Sequence, residues 1–499
     1  MAKKFQNFID GKWVDAQSGN TFENRNPARW DEVVGVFPKS GKEDVDCAVK
    51  CARKAFEQWR LVPAPKRGDI MRKVGDLMVA RKEDLAKQMT REMGKVLTET
   101  RGDVQEGIDT AYYASSEGRR LFGHTVPSEL PNKFNMAMRV PIGVAGVVTP
   151  WNFPMAIPTW KIFPALLCGN SVVFKPASDT PATATSLVEI LLEAGVPEGV
   201  INLVHGGGGE VGMAIVGHPD VDLVSFTGST VVGKKIAEVG AQTLKRVSLE
   251  LGGKNAQIVM NDANLDLALE GVLWGAFGTT GQRCTATSRL ILQDGVHDKF
   301  VDMLVNRVKK LKLGDGLVDG VDVGPCVNEG QRQTVAGYVK VGLEQGAKIA
   351  IGGKIAADGA LAKGWFYEPT VFVDVKPEHR IAKEEIFGPV LSVIRVKTLD
   401  EAITVLNDTI YGLSSSIYTN DVNGAFRAMR DIKAGITYIN APTIGAEAHM
   451  PFGGVKQTGN GHREGGWTVY EFFSEWKTVY VDYSGGLQRA QIDNYGADK

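Results

Sequence analysis

Short apolar runs alternate with helical patterns through the middle of this 499-residue chain. The runs lie at 143–149, 172–175, 201–204 and 223–226, and residues 182–194 form a helical pattern between two of them. Strands that are buried on both faces appear as continuous apolar runs, and the helices between them supply the crossovers of a parallel sheet. The pattern predicts a doubly wound α/β domain.

The alternation restarts after about residue 253, with apolar runs at 257–260 and 289–293 and a helical pattern at 296–311. A chain of this length is too long for one hydrophobic core, so two stacked α/β domains are predicted. Residues 122–141 are short and strand-like, as an excursion from the first domain would be, and the tail 477–483 alternates like a strand.

Two helical patterns precede the first apolar run. Ser40 and Glu43 have the spacing of a capping box, and apolar residues follow them at helical spacing. A second, longer pattern runs from about residue 68 to residue 93. The sequence therefore predicts one capped helix and one long helix in this region.

The composition is ordinary for a globular protein in water, with 43% hydrophobic and 23% charged residues. The net charge of −1 gives no electrostatic reason to expect nucleic acid or an anionic membrane as a partner. Residues 152–174 are weakly charged, but Lys161 and three prolines argue against a membrane span. The N-terminus lacks the apolar run of a signal peptide, so a cytoplasmic location is expected.

The five cysteines are scattered and form no metal-ligand pattern. An odd, scattered set indicates reduced thiols in a cytosolic protein, with no bound metal. Cys47 and Cys51 are four residues apart in a helical pattern and are predicted to be buried neighbours.

Cys284 lies in a polar, glycine-rich segment between a helical pattern and a strand. A nucleophilic thiolate needs exposure and nearby cations or N–H dipoles to lower its pKa, and Arg283 is adjacent. The alternative for an isolated cysteine of this kind is a structural role.

Glu250 ends an apolar strand and is followed by two glycines, a setting that suits a general base with a raised pKa. Its alternative role is an ion pair with Lys254. Asn152 lies between Pro150 and Pro154, which fix the backbone so that its amide can serve as an oxyanion donor. The alternative for Asn152 is an ordinary turn residue.

A strand that passes through Gly228 into a helix indicates a coenzyme site. Gly228 lets the backbone approach a pyrophosphate, to which Ser229 can donate at the helix N-terminus. The glycine-rich segment 205–209 is interpreted as a flexible turn. Residues 384–389 place a carboxylate and an aromatic ring beside a rigid turn, or else a surface acid beside a core phenylalanine.

Together these segments resemble the aldehyde dehydrogenase superfamily over essentially the whole chain. The motifs occur in the family's order: Pro-Trp-Asn-Phe-Pro, Lys-Pro-Ala-Ser, Phe-Thr-Gly-Ser, Leu-Glu-Leu-Gly-Gly-Lys, Gly-Gln-Arg-Cys, Glu-Glu-Ile-Phe-Gly-Pro-Val and Pro-Phe-Gly-Gly. The resemblance implies that Cys284 is the nucleophile, that Glu250 activates water, and that Asn152 and the Cys284 N–H form the oxyanion hole. It also implies that Glu385 holds the nicotinamide ribose and that Phe387 lies against the nicotinamide ring.

The predicted site residues fall into three groups, and no metal ligand is among them. The predicted catalytic residues are Cys284, Glu250, Asn152 and Lys175. The predicted coenzyme contacts are Thr149, Pro150, Trp151, Asn152, Lys175, Pro176, Ala177, Ser178, Gly228, Ser229, Val232, Leu251, Glu385 and Phe387. The predicted substrate contacts are Ile157, Trp160, Arg283, Thr285 and Phe452.

The resemblance implies a Rossmann-like coenzyme domain (1–121 and 142–252), a catalytic domain (253–470) and a small β oligomerisation element (122–141 and 471–499). Strands without partners in their own domain predict a homo-oligomer, either a dimer or a tetramer. Ser178 occupies the position where NAD-preferring members typically carry a glutamate, so NADP⁺ is expected to be accepted, alone or with NAD⁺. Asp179 next to it favours NAD⁺ instead.

The expected substrate is an aldehyde with a distal carboxylate, such as an aminoadipate, glutarate or 2-oxoglutarate semialdehyde. Arg283 can bind a carboxylate bidentately, and residues 440–447 resemble a loop that supplies N–H groups to the far end of such substrates. Alternatively, Arg283 pairs with a structural acid beside an apolar pocket of Ile157, Trp160 and Phe452. Two other functions stay open: a CoA-acylating dehydrogenase, and a catalytically inert, crystallin-like relative.

Overall fold

The computed structural model describes residues 2–489 and 491–492 as a mixed α/β chain. The strands are β1 (Lys3–Lys4), β2 (Asn7–Ile9), β3 (Lys12–Val14), β4 (Thr21–Arg25), β5 (Val33–Pro38), β6 (His124–Pro127), β7 (Lys133–Pro141), β8 (Val144–Val148), β9 (Ser171–Lys175), β10 (Ile201–Leu203), β11 (Leu223–Thr227), β12 (Arg246–Glu250), β13 (Asn255–Val259), β14 (Thr287–Gln293), β15 (Lys348–Ile351), β16 (Thr370–Val373), β17 (Val390–Val396), β18 (Ser414–Tyr418), β19 (Ile436–Ile439) and β20 (Ser474–Asp482).

The helices connect these strands or pack on their faces. They are α1 (Lys42–Trp59), α2 (Ala64–Ala80), α3 (Lys82–Met93), α4 (Leu97–Glu117), α5 (Ala156–Cys168), α6 (Pro181–Ala194), α7 (Met213–Gly217), α8 (Thr230–Ala241), α9 (Leu265–Phe277), α10 (Asp294–Val308), α11 (Glu329–Glu344), α12 (Arg380–Lys383), α13 (Leu399–Asn407), α14 (Val422–Asp431) and α15 (Val469–Phe472).

Two seven-stranded sheets dominate the fold. The first has the order β12-β11-β8-β9-β10-β2-β3, in which β8 to β12 are parallel and the β2–β3 hairpin is antiparallel. The second has the order β15-β16-β17-β14-β13-β18-β19, parallel except for the edge strand β15. The predicted pair of α/β units is therefore confirmed, and the predicted apolar runs form buried strands of these sheets.

A separate three-stranded antiparallel sheet, with the order β20-β7-β6, unites the two segments predicted to be strands outside the main domains. Its longest pairing joins Ser474 with Pro141 at one end and Asp482 with Lys133 at the other. A second small sheet has the order β1-β5-β4. Residues 490 and 493–499 of the predicted oligomerisation element lie outside the described residues, and the limits of the three units stay a prediction.

Three local predictions are wrong. The cap of α1 is Gly41, whose N–H donates to Asp44 Oδ2 at 3.0 Å, because the Ser40 hydroxyl instead accepts from the Asn7 amide at 2.8 Å. The long helix predicted over 68–93 is the pair α2 and α3, which meet at Arg81 in a non-helical conformation. Cys47 is exposed rather than buried.

The carboxyl ends of parallel strands meet at one edge of a sheet, which is where α/β proteins bind ligands. In the first sheet this edge carries the segment after Val148, the segment after Thr227 and the strand end at Glu250. The second sheet begins five residues after Glu250, at Asn255. No helix in the described part of the chain is both apolar enough and long enough to span a bilayer.

Candidate active site

Cys284 lies in the loop between α9 and β14, and this loop is attached to the second sheet by side chains. The Asn255 amide donates to the carbonyl oxygens of Cys284 at 2.7 Å and Ala286 at 3.0 Å. The Thr443 hydroxyl donates to the Thr285 carbonyl at 2.7 Å. Loop residues held in this way keep the thiol in one position relative to the strands.

Cys284 lines two cavities at once. The first cavity, of about 250 Å³, lies between α4, α5 and the Cys284 loop. The second cavity, of about 240 Å³, lies at the carboxyl edge of the first sheet. A nucleophile at the junction of two cavities can meet two different molecules, one from each side.

The second cavity collects most of the predicted coenzyme contacts. These are Pro150, Trp151, Asn152, Gly228, Ser229, Leu251, Glu385 and Phe387. It also contains Thr227, Gly252 and Gln331, which the sequence analysis did not single out. Thr149, Lys175, Pro176, Ala177, Ser178 and Val232 do not line it, so for them a coenzyme role stays a prediction.

Lys175 and Ser178 lie at the end of β9, where Thr149 is attached by its N–H to the Lys175 carbonyl at 3.2 Å. The Ser178 hydroxyl donates to the Gly206 carbonyl at 3.0 Å, and the Asp179 carboxylate accepts from the Asn328 amide at 2.9 Å. Burial lowers the pKa of Lys175 to about 8, and the charge of Asp179 opposes this shift. The glycine-rich segment 205–209, which was interpreted as a flexible turn, contacts this corner at Gly206 and enters a short helical turn at Gly208 (Gly208–Gly212).

The Cys284 thiol is half-buried, and its pKa is raised to about 12 by burial and by the charges of Glu385 and Glu250. The expectation that the adjacent Arg283 lowers this pKa is wrong, because the guanidinium is directed to Glu99, at 3.1 Å. Backbone N–H groups at Cys284 and Thr285 act in the opposite direction to burial and lower the thiol pKa. The upward shift of the Cys284 pKa is therefore opposed by local N–H dipoles and not by the neighbouring Arg283.

Glu250 is buried, and neither of its carboxylate oxygens has a hydrogen-bond partner among the described residues. Burial, reinforced by the charge of Glu464, raises the pKa of Glu250 well above its usual value. The alternative ion pair with Lys254 is not formed in the described structure, where the buried Lys254 Nζ also has no hydrogen-bond partner. An unpartnered carboxyl with a raised pKa has the properties of a general base.

A buried ion pair between Lys161 and Glu464, at 2.5 Å, lies near Glu250, and Ser225 accepts from the same ammonium at 2.9 Å. This ion pair was not predicted from the sequence. Its only signal was Lys161, a charged residue within the apolar stretch 152–174. Within the pair, the Glu464 carboxylate raises the pKa of Glu250 further, and the Lys161 ammonium opposes this shift.

Asn152 is buried beside the second cavity, and its side-chain amide makes no hydrogen bond to any described residue. Its donors are therefore available to an oxygen atom that binds next to Cys284. The turn-residue alternative does not account for a buried, unused amide, since buried polar groups are normally hydrogen-bonded.

Glu385 and Phe387 lie across the second cavity from the first sheet. Glu385 Oε1 accepts from the Gly253 N–H at 2.8 Å, and burial raises the pKa of this carboxyl to about 7. Phe387 has a positive φ of 57° and contacts Trp151 edge-on, with ring centroids 5.3 Å apart. The Gln331 amide donates to the Phe387 carbonyl at 2.8 Å and holds this strained residue in place.

The first cavity contains all five predicted substrate contacts, Ile157, Trp160, Arg283, Thr285 and Phe452. Trp160 and Phe452 contact each other, with ring centroids 4.9 Å apart. On the opposite wall α4 contributes several acidic side chains, which were not predicted from the sequence. That wall consists of Thr98, Glu99, Gly102, Asp103 and Glu106.

Arg283 is already paired inside this cavity. Its Nη2 lies 3.1 Å from Glu99 Oε1, and its Nε donates to the Thr279 hydroxyl at 2.9 Å. The aromatic rings of Phe153 and Trp274 lie 5.5 and 5.9 Å from the guanidinium carbon. Arg283 thus forms the ion pair with an acid that was the alternative to carboxylate binding. Its guanidinium nevertheless lines the cavity.

Comparison with known proteins matches residues 13–479 to the aldehyde dehydrogenase family. The chain is 42% identical to the alpha-ketoglutaric semialdehyde dehydrogenase of Bacillus subtilis, over 96% of this chain and 98% of that protein. It is 40% identical to an NADP⁺-linked succinate-semialdehyde dehydrogenase of Escherichia coli, over 95% and 97% of the two chains. The crystal structure of betaine aldehyde dehydrogenase from Staphylococcus aureus with NAD⁺ superposes with a TM-score of 0.94, at 37% identity, over 97% and 96% of the chains.

The two α/β sheets, with a thiol between two cavities and a buried carboxyl at the sheet edge, have the features of an enzyme's active site. The chain belongs to the aldehyde dehydrogenase family. Its activity is NAD(P)⁺-dependent oxidation of an aldehyde.

Proposed function

We propose that this enzyme oxidises an aldehyde bearing a distal carboxylate, through a thioester on Cys284 that water hydrolyses. The observation that carries the proposal is the position of Cys284, which lines both the first and the second cavity. The coenzyme occupies the second cavity and the aldehyde occupies the first, so that the sulfur lies between them.

The second cavity fits a nicotinamide dinucleotide. Gly228 and the Ser229 cap at the N-terminus of α8 suit a pyrophosphate, because unpaired N–H groups and the helix dipole favour an anion there. In this proposal Glu385 and Phe387 contact the nicotinamide ribose and ring, and Lys175, outside the second cavity, contacts the adenosine end. The coenzyme, when bound, accepts the hydride from the substrate carbon.

Cys284 attacks as the thiolate, after its proton has passed to solvent water. The sulfur then forms a C–S bond to the aldehyde carbon and places negative charge on the aldehyde oxygen. The unused Asn152 amide and the Cys284 N–H stabilise this charge, which is largest in the transition state. Loss of hydride from the same carbon leaves the thioester. These roles follow from the free donors and the position of the thiol.

Glu250 then accepts a proton from the water that attacks the thioester. Its unpartnered, buried carboxyl suits this role, because a base with a raised pKa accepts protons more readily once it is ionised. A CoA-acylating enzyme needs no such base. A catalytically inert relative does not need Cys284, Glu250 and Asn152, and all three are present here. Both alternatives are therefore disfavoured.

The carboxylate on the substrate is supported by the relatives and by the first cavity. Several relatives are named for semialdehydes of α-ketoglutarate, succinate and glutarate, all of which carry a carboxylate. Arg283 lines the cavity with one guanidinium nitrogen, Nη1, that makes no hydrogen bond to a described residue. Residues 444–446, from the loop predicted to hold the far end of the substrate, line it too.

The test replaces Arg283 with Met and compares glutarate semialdehyde with an uncharged aldehyde of equal length. The proposal expects kcat/KM for the semialdehyde to fall at least tenfold relative to the uncharged aldehyde. Arg101→Met is the matched control, because Arg101 is an exposed arginine of α4 that pairs with Glu83. Equal losses on both substrates would reject the role of Arg283 in carboxylate binding.

A cytoplasmic homo-oligomer, dimer or tetramer, completes the proposal. The β20 edge of the three-stranded sheet has no partner strand among the described residues, and Trp476 and Tyr480 on it are exposed. Unpaired edges with exposed aromatic side chains are normally covered by another chain. Light scattering at micromolar concentration tests this, and a monomeric mass would contradict it.

A further inference from the structure

Three carboxyl groups of α4 face the first cavity, at Glu99, Asp103 and Glu106. Their spacing places them on one side of the helix. Glu99 and Asp103 both accept hydrogen bonds from neighbouring groups. Glu106 Oε1, by contrast, is buried and has no hydrogen-bond partner among the described residues. A buried polar atom without a partner, on a side chain that lines a ligand cavity, indicates a contact that a ligand can complete.

The charges around this wall are already balanced without Glu106. Asp103 accepts from Lys95 Nζ at 2.6 Å and from the Ala156 N–H at 2.7 Å. Glu99 accepts from the Thr279 N–H at 2.7 Å and pairs with Arg283, as described above. The two cations at the cavity, Lys95 and Arg283, are therefore each paired with another carboxylate. Neither cation is left to pair with an ionised Glu106.

The groups that face Glu106 come from every element packed around it. They are Asp103 and Asp109 of α4, Lys95 before α4, Arg283 of the Cys284 loop and Tyr438 of β19. Burial and the charge of Asp103 raise the pKa of Glu106 to about 8, against the opposing charges of Lys95 and Arg283. Burial raises the pKa of Tyr438 to about 12, so it stays neutral. At neutral pH, Glu106 carries a proton that it can donate.

We propose that Glu106, as a neutral carboxylic acid, donates a hydrogen bond to the carboxylate of the substrate and so selects semialdehydes over uncharged aldehydes. The inference rests on the proposed function, in which the first cavity binds the substrate. Arg283 alone is a weak anchor, since Glu99 already neutralises it. A protonated acid beside it adds a donor without adding a negative charge.

The opposite charge state makes a different prediction. An ionised Glu106 would repel a carboxylate and attract the ammonium group of an ω-amino aldehyde. Three aldehydes of equal chain length separate the two states: glutarate semialdehyde, pentanal and 5-aminopentanal.

The experiment measures kcat/KM for these aldehydes with the full-length enzyme and its variants Glu106→Leu and Glu106→Gln. Glu106→Leu is expected to lower the semialdehyde-to-pentanal ratio at least tenfold. Glu106→Gln keeps a hydrogen-bond donor on a side chain of similar shape. Its semialdehyde-to-pentanal ratio should therefore stay within threefold of that of the unmodified enzyme. In the unmodified enzyme the ratio should fall as pH rises through about 8, because Glu106 then ionises, and in Glu106→Gln it should not.

Asp84→Leu is the matched control, because Asp84 is an exposed acid of α3 that neither lines the cavity nor is among the charges that act on Glu106. A semialdehyde preference that survives Glu106→Leu overturns the role of Glu106 and leaves the proposed substrate standing. If Glu106→Gln instead raises the semialdehyde-to-pentanal ratio and abolishes oxidation of 5-aminopentanal, Glu106 is ionised in the unmodified enzyme. That result also overturns the proposed role of Glu106. An unmodified enzyme without any semialdehyde preference contradicts the proposed substrate and this role together.

Discussion

The side-chain amide of Asn255 donates to the backbone carbonyl of Cys284 at 2.7 Å, and it fixes the nucleophile's loop to the first residue of β13. The Ser414 N–H donates to Asn255 Oδ1 at 2.9 Å, so the amide itself is held in one orientation. Gly253 lies so close that an added Cβ would stand 2.5 Å from the Cys284 carbonyl oxygen. The segment after Glu250 therefore positions both the base and the thiol.

Replacement of Glu250 by Gln should slow thioester hydrolysis more than hydride transfer. The amide cannot accept a proton from water, whereas attack by the Cys284 thiolate and loss of hydride transfer no proton to Glu250. Rapid mixing with saturating aldehyde should show a burst of reduced coenzyme close to one equivalent, followed by slow turnover. Equal loss of the burst and of the steady-state rate would show that Glu250 chiefly activates the thiol.

The same carboxyl predicts the pH dependence of turnover. Since the pKa of Glu250 is raised well above its usual value, the carboxyl stays protonated to a higher pH than an ordinary glutamate, and only the ionised form accepts a proton. Steady-state turnover should therefore rise with pH, over a range above that of an ordinary carboxyl, when hydrolysis is rate-limiting. A flat profile from pH 6 to 9 with the burst intact would argue against this assignment.

Asn152→Ala should remove about 2.7–4 kcal/mol of transition-state stabilisation, the range for loss of one oxyanion donor. The expected reduction in kcat is therefore roughly 100- to 1,000-fold, with little change in coenzyme affinity. Steady-state kinetics combined with coenzyme binding by fluorescence would measure both. A decrease in kcat below threefold would show that the Asn152 amide is directed elsewhere.

NADP⁺ should be accepted, because Ser178 and Lys175 offer no carboxylate at the predicted 2′-phosphate position. The lowered pKa of Lys175, about 8, means that its charge is present below that pH and lost above it. The KM for NADP⁺ should therefore rise above pH 8 more steeply than the KM for NAD⁺. Ser178→Glu should raise the KM for NADP⁺ and leave the KM for NAD⁺ little changed, and Ser178→Ala is the control. A hundredfold preference of the unmodified enzyme for NAD⁺ would refute the prediction.

The sequence predicted the parts of the site that local chain geometry determines. Glu250 ends a strand and Asn152 follows one, so their positions at the sheet edge could be inferred from the pattern of apolar runs. The environment of Arg283 could not, because its partner Glu99 is 184 positions away in sequence. Adjacency in sequence suggested that Arg283 lowers the pKa of Cys284, whereas the fold directs the guanidinium to the opposite wall of the cavity.

Glu106 and the pair of Lys161 with Glu464 were missed for a related reason. Acidic residues on a helix are usually solvated, so nothing in the sequence of α4 distinguishes Glu106 from its exposed neighbour Asp109. The partners Lys161 and Glu464 are 303 positions apart. Only the packing of α4 and α5 against the Cys284 loop brings these charges to the cavity and to the base.

The most direct test of the central claim is to trap the thioester on Cys284. The Glu250→Gln variant is mixed with NAD⁺ or NADP⁺ and glutarate semialdehyde, quenched in acid within a second and digested for mass spectrometry. If the reaction passes through a thioester on Cys284, the peptide containing Cys284 gains the mass of the acyl group, and the double variant Glu250→Gln, Cys284→Ala gains none. A burst of reduced coenzyme without an acyl adduct, or an adduct on another of the five cysteines, would contradict it.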